Sequence, residues 1–213
     1  MKIKPNELKD NGYVLLDELG HQELVPFIRT YMKKWTKYSI FYYFINAVIF
    51  GISGFYFIQD FNLPNYDFGS KFTHFAYGLA IAFLLVPLHE YIHVLAYKSQ
   101  GATNTSYSAN LKKFYFMALA DKFVASKKEF EIVALAPFVV ITTVLVGLLL
   151  LVSSNWTLTV IGALLMHTAM CSGDFGLLSY FEFNKEKQVV TYDDTENKIS
   201  YFYGLTDEKR ITK

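Results

Sequence analysis

Four stretches of this chain lack Asp, Glu, Lys and Arg altogether: Tyr38–Ile58 and Ile132–Val152, 21 residues each, and Phe72–His89 and Trp156–Gly173, 18 residues each. A helix of about 20 apolar residues crosses a hydrocarbon core about 30 Å thick. One such stretch would suit a buried core helix, but four in 213 residues call for a bilayer. The composition agrees, with 53% hydrophobic and only 18% charged residues, too apolar for an ordinary soluble domain. The expected fold class is an all-α polytopic membrane protein with four transmembrane helices. These would cover about 38–58, 72–97, 130–152 and 156–180 within a membrane domain over 38–181.

The basic residues say which way the chain crosses. Seven of the 20 Lys and Arg fall in residues 1–37, six in 98–128 and six in 181–213, leaving Lys71 alone on the other side. Cytoplasmic segments collect Lys and Arg, so both termini are expected in the cytoplasm and the protein in the plasma membrane. Trp35 and Trp156 stand at the starts of the first and fourth spans, where interfacial aromatics belong. The first 34 residues are polar and mixed in charge, so no secretory signal peptide is expected. A single cysteine, Cys171, excludes an internal disulfide and a multi-cysteine zinc site.

Between the spans lie short polar segments. Residues 1–37 read as a cytoplasmic arm, with Asn6–Val25 forming either one or two amphipathic turns on the membrane or a solvated tail. Residues 59–71 make an outer loop. The connector between the second and third spans alternates in part (Tyr107, Ala109, Leu111, then Phe114, Phe116). That suggests an interfacial β-hairpin over 102–125, a short amphipathic helix being the alternative. The cytoplasmic tail, 182–213, has β-prone runs Lys187–Tyr192 and Lys198–Tyr203 around a polar turn at Asp193–Asn197, a second small hairpin.

One motif carries chemistry. His89-Glu90-Tyr91-Ile92-His93 is an HExxH sequence near the inner end of the second span. Histidines at i and i+4 share a helix face and can reach one metal ion, while Glu90 stands beside the open coordination position as general base. Two histidines packed in a helix interface, with Glu90 reaching the membrane surface, would be the bland reading. Ionisable side chains are costly in a bilayer, which favours the metal. A catalytic zinc takes three protein ligands plus water. At 1.5 Å per residue His89 lies about 14 Å before Lys98, and Asp174 about 12 Å before Glu182, so the two sit at matching depth. His74 is about 22 Å up the helix from His89 and His167 about 10 Å deeper than Asp174. His167 therefore suits a supporting or substrate-side role, and Cys171 a small buried side chain or a softer ligand.

HExxH closing one span, Ala136-Pro137 opening the next and Gly173-Asp174 late in the last resemble an uncharacterised family of bacterial membrane zincin peptidases. That family is distantly similar to the site-2 proteases. The likeness covers about Phe72 to Tyr203. It implies one zinc ion bound by His89, His93 and Asp174, with Glu90 as the catalytic carboxylate and the connector hairpin presenting substrate. The expected function is an intramembrane or juxtamembrane zinc metalloprotease acting on membrane-associated proteins or peptides, with His167 or Asn110 assisting the oxyanion. Its partners are the lipid bilayer and the substrate, with no nucleic acid and a homo-oligomer left open. A metal-holding membrane scaffold is the alternative, against which a retained Glu90 argues. A small transporter is weaker, since the ionisable groups cluster at one end of the spans.

Overall fold

The computed structural model describes residues 3–59, 61, 63–110 and 115–206. It is mostly helical, with two small sheets. Three helical stretches are long and apolar enough to cross a membrane: Lys37–Ile58, Lys127–Leu149 and Trp156–Phe183. They become four if a bent pair, Phe68–Leu84 with Val86–Ser99, is one span. The chain divides into two compact units, residues 1–39, 90–136 and 173–213 in the first and 40–89 and 137–172 in the second.

In the first unit the two ends of the chain build one antiparallel sheet. β1 (Tyr13–Gly20), from the arm, pairs with β6 (Ile199–Leu205). β6 pairs with β5 (Val190–Asp194), which pairs with β4 (Ala125–Ser126). The arm is thus a strand followed by helix α1 (Leu24–Met32); neither amphipathic surface turns nor a solvated tail describes it. The tail hairpin forms as expected but lies inside a larger sheet, and Asp193 and Asp194 belong to β5 rather than to its turn. β2 (Thr105–Asn110) and β3 (Tyr115–Ala120) pair antiparallel within the connector, which rules out the amphipathic helix there. The connector's Lys112 and Lys113 lie outside the described residues, as does the tail beyond Thr206.

Aromatic rings hold this unit together. Tyr180 and Phe202 have ring centroids 4.6 Å apart, Phe27 stacks on Phe202 at 5.6 Å, and Phe130 on Phe181 at 4.9 Å. Each buried ring removes 150–250 Å² from water. The Tyr180 hydroxyl donates to Oδ2 of Asp17 on β1 at 2.6 Å. That bond ties the arm to α7 (Ser172–Phe183). α1 crosses α7 at Gly176, where an added Cβ would fall 2.6 Å from Ile28 Cγ2.

The second unit is helical: α2 (Lys37–Ile58), α3 (Phe68–Leu84), the later part of α5 (Lys127–Leu149), and α6 (Ser154–Met170). α3 and α6 touch backbone to backbone at Gly78 and Gly162. A Cβ on Gly78 would overlap Thr159 O and lie 2.6 Å from Ala163 N. Small residues at such crossings are how helices associate where burial of apolar surface offers no driving force. α2 turns Phe44, Phe50 and Phe55 outward, as suits lipid.

One expected span is bent. The stretch read as one helix over 72–97 is α3 and α4 (Val86–Ser99), joined at Leu85 with a 41° bend. Pro87, two residues on, has no N–H to continue the ladder, and its ring crowds the carbonyl four residues back. The stretch read as 156–180 is one helical stretch, Trp156–Phe183, within which α6 and α7 meet at Cys171.

Candidate metal centre

The break at Leu85 puts the HExxH sequence in the opening turns of α4, with proline early in the helix where its missing N–H costs little. One stripe of α4 is buried: Val86, Glu90, His93, Val94 and Tyr97. The outward face carries Leu88, Tyr91 and Leu95. Glu90 and His93 point inward while Leu88, Tyr91 and Leu95 face outward, an arrangement that suits a bilayer. The ligand atoms of His89, Glu90 and His93 on this one helix all lie within 4.8 Å of one another.

His93 is the best-defined member. Its Nδ1 lies 2.9 Å from the Val133 carbonyl on α5. A carbonyl can only accept, so Nδ1 carries the proton and Nε2 is turned the other way. Nε2 lies 3.2 Å from Asp174 Oδ1. Two atoms that both offer lone pairs hold that separation stably only with a proton or a cation between them. Two tetrahedral zinc ligands at about 2.0–2.1 Å would stand about 3.3 Å apart. Asp174 sits in the first turn of α7.

Glu90, His93 and Asp174 share a cavity of about 100 Å³. Its other walls come from far along the chain, with Phe116–Leu119 of β3 on one side and Thr191, Asp193 and Ser200 of β5 and β6 on another. Asp193 accepts a 2.6 Å hydrogen bond from Ser200 Oγ, and burial pushes its carboxyl up to about 6. Sequence reasoning missed Asp193 and Ser200, since the first looked like a turn residue and nothing marks the second. The side chain of Asn110 is outside the described residues.

In the second unit His89 has other neighbours. Its ligand atom lies within 4.8 Å of those of His167 and Cys171, and the rings of His89 and His167 are 5.7 Å apart. Cys171 Sγ is 3.9 Å from His167 Nε2 and donates to the His167 carbonyl at 3.3 Å. His167, read as lying deeper than the motif, comes to it. His74 does not: its Nδ1 lies 3.2 Å from Thr159 Oγ1 and its ring 5.2 Å from Trp156.

A family model described as "Putative zincin peptidase" matches residues 82–189, 108 of the 213 residues. The chain belongs to that family. The match opens just before α4 and closes just before β5, so it takes in the HExxH helix, the connector strands, α5, α6 and the Asp174 turn. No curated protein and no solved structure matches the chain. A zincin implies zinc, and the nitrogen and carboxylate donors here are of the kind zinc takes.

Proposed function

We propose that this protein is a membrane zinc metallopeptidase in which His89, His93 and Asp174 hold one zinc ion and Glu90 is the general base. The observation that carries the reading is the 3.2 Å approach of His93 Nε2 to Asp174 Oδ1 on the same cavity as Glu90. His89, one helical turn before His93, supplies the third ligand by the i,i+4 spacing of α4. Bound zinc would supply a water acidified to a pKa of about 7 and a polarised carbonyl. Glu90 would then take the water's proton on a carboxylate oxygen and return it to the leaving amine. Val133 holds His93 in the tautomer that presents Nε2.

An extended peptide as substrate is supported by β3. Among the described residues its one strand neighbour is β2, while Phe116–Leu119 line the cavity. An extended segment of a membrane-associated protein could lie along β3 by backbone hydrogen bonds and bring a peptide bond to Glu90. The positive charges favour both termini and the connector in the cytoplasm, at the plasma membrane.

A second reading is favoured by the other ligand set. His89 with His167 and Cys171 could hold zinc structurally, leaving a scaffold. One set of variants separates the two. Zinc content should fall sharply in Asp174→Ala and stay stoichiometric in Cys171→Ser. Glu90→Gln should keep its zinc and lose about 10² to 10⁴-fold in cleavage of membrane-associated substrates. The opposite metal pattern, or full complementation of a deletion strain by Glu90→Gln, would leave the scaffold standing.

A further inference from the structure

Pro137 lies inside α5 and is completely buried. In an α-helix each N–H bonds the carbonyl four residues back, so an ordinary residue at 137 would donate to Val133. Proline has no N–H, and its ring pushes that carbonyl aside. Val133 O is therefore left out of the helical ladder, and it is the atom that takes the His93 Nδ1 hydrogen at 2.9 Å. Val133 itself is 2% exposed and His93 7%, so water does not compete for either group. A buried carbonyl left without a donor is costly, and a buried imidazole without a fixed partner has no fixed tautomer. Each defect removes the other.

We infer that Pro137 is a positioning residue for the metal centre: by withholding one backbone donor it dedicates the Val133 carbonyl to His93 and holds Nε2 toward Asp174. This rests on the reading of His93 as a zinc ligand. Restoring the N–H, as in Pro137→Ala, gives Val133 a helical partner on the ladder axis. His93 Nδ1 then meets an acceptor already engaged and turned back toward the helix, and the alternative tautomer, with hydrogen on Nε2 facing Asp174, becomes accessible. That tautomer occupies the atom a metal needs. Outer partners of metal-binding histidines typically matter at the level of 10- to 100-fold in metal affinity.

The test uses the full chain in detergent micelles, with zinc alone as the probe. Three proteins are compared: wild type, Pro137→Ala, and a variant with lactic acid at 137, whose backbone ester lacks the N–H but also lacks the proline ring. The dissociation constant for zinc should rise 10- to 100-fold in Pro137→Ala and stay within about threefold of wild type in the ester variant. In the zinc-free proteins, ¹⁵N resonances of His93 should report the Nδ1–H tautomer in wild type and ester. Pro137→Ala should show a growing Nε2–H population. The inference fails if Pro137→Ala binds zinc as wild type does, if the ester variant loses as much affinity as alanine, or if Pro137→Ala lowers the unfolding midpoint of the zinc-free protein. The last result would make the proline a folding element. His93→Ala is the independent control: wild-type zinc affinity there would remove the ligand reading itself, whatever Pro137 does.

Discussion

Asp193 shows how a single side chain can matter without any sequence motif. It lies at the end of β5, accepts the Ser200 hydroxyl, and sits in the same cavity wall as Thr191. Burial is the main cause of its raised carboxyl, with repulsion from Asp121 adding to it, while the hydrogen bonds from Ser200 and the Ala120 backbone work the other way. An ordinary aspartate titrates near 3.9, and this one near about 6. The folded state thus binds the proton more tightly than the unfolded one. Its stabilising contribution is complete below about pH 4 and is lost as the pH rises through about 6. Asp193→Asn keeps the acceptor and removes the charge. The variant should be more stable than wild type by about 1–2 kcal/mol at pH 7.5, with the difference shrinking toward pH 4.5. Thermal unfolding across that range checks it; a constant difference would mean that the carboxyl does not titrate there.

At the scale of elements, the helices are placed by what they lack. Gly78 and Gly162 let α3 and α6 approach until no side chain fits between them, and Thr159 Oγ1 uses the proximity to donate to the His74 carbonyl at 2.9 Å. Gly78→Leu should cost about 3 kcal/mol or more, because the clash is with backbone atoms of α6 that cannot turn aside. Gly51→Leu on α2 is the matched control. A Cβ there has nothing within 4 Å, so the change should stay within about 0.5 kcal/mol. Unfolding in detergent measures both, and equal losses would show that α3–α6 contact is not what holds the second unit. The bend at Leu85 acts in the same spirit. It converts the middle of an apolar run into a helix start, and the opening turns of α4 carry Glu90.

For the whole molecule the testable property is orientation. From the 19-to-one division of basic residues, residues 98–128 are expected on the cytoplasmic side and 59–71 outside. Asn65 and Asn104 are both exposed and fall on opposite sides of that division. In a Cys171→Ala background, an impermeant thiol reagent on intact cells should label Asn65→Cys and leave Asn104→Cys unmodified until the membrane is opened. The reverse pattern would invert the protein. Both ends of the chain feed one sheet through the β1–β6 pairing, so the same reagent should find both on one face of the membrane.

The apolar stretches, the HExxH spacing, the Gly-Asp pair and the β-prone runs were legible because each rests on residues close together in sequence. Solvent preference and helical or strand period are local properties. The one local signal overlooked was Pro87, hidden in an apolar run whose length alone suggested an unbroken helix. The remaining features depend on partners far along the chain. Nothing local pairs Tyr13–Gly20 with Ile199–Leu205, turns Val133 O toward His93, or carries Asp193 and Ser200 to the cavity of Glu90. Those contacts exist only once the helices have closed. Hydrogen bonds and packing then reward particular atoms for meeting, and side-chain identity alone does not say which atoms those will be.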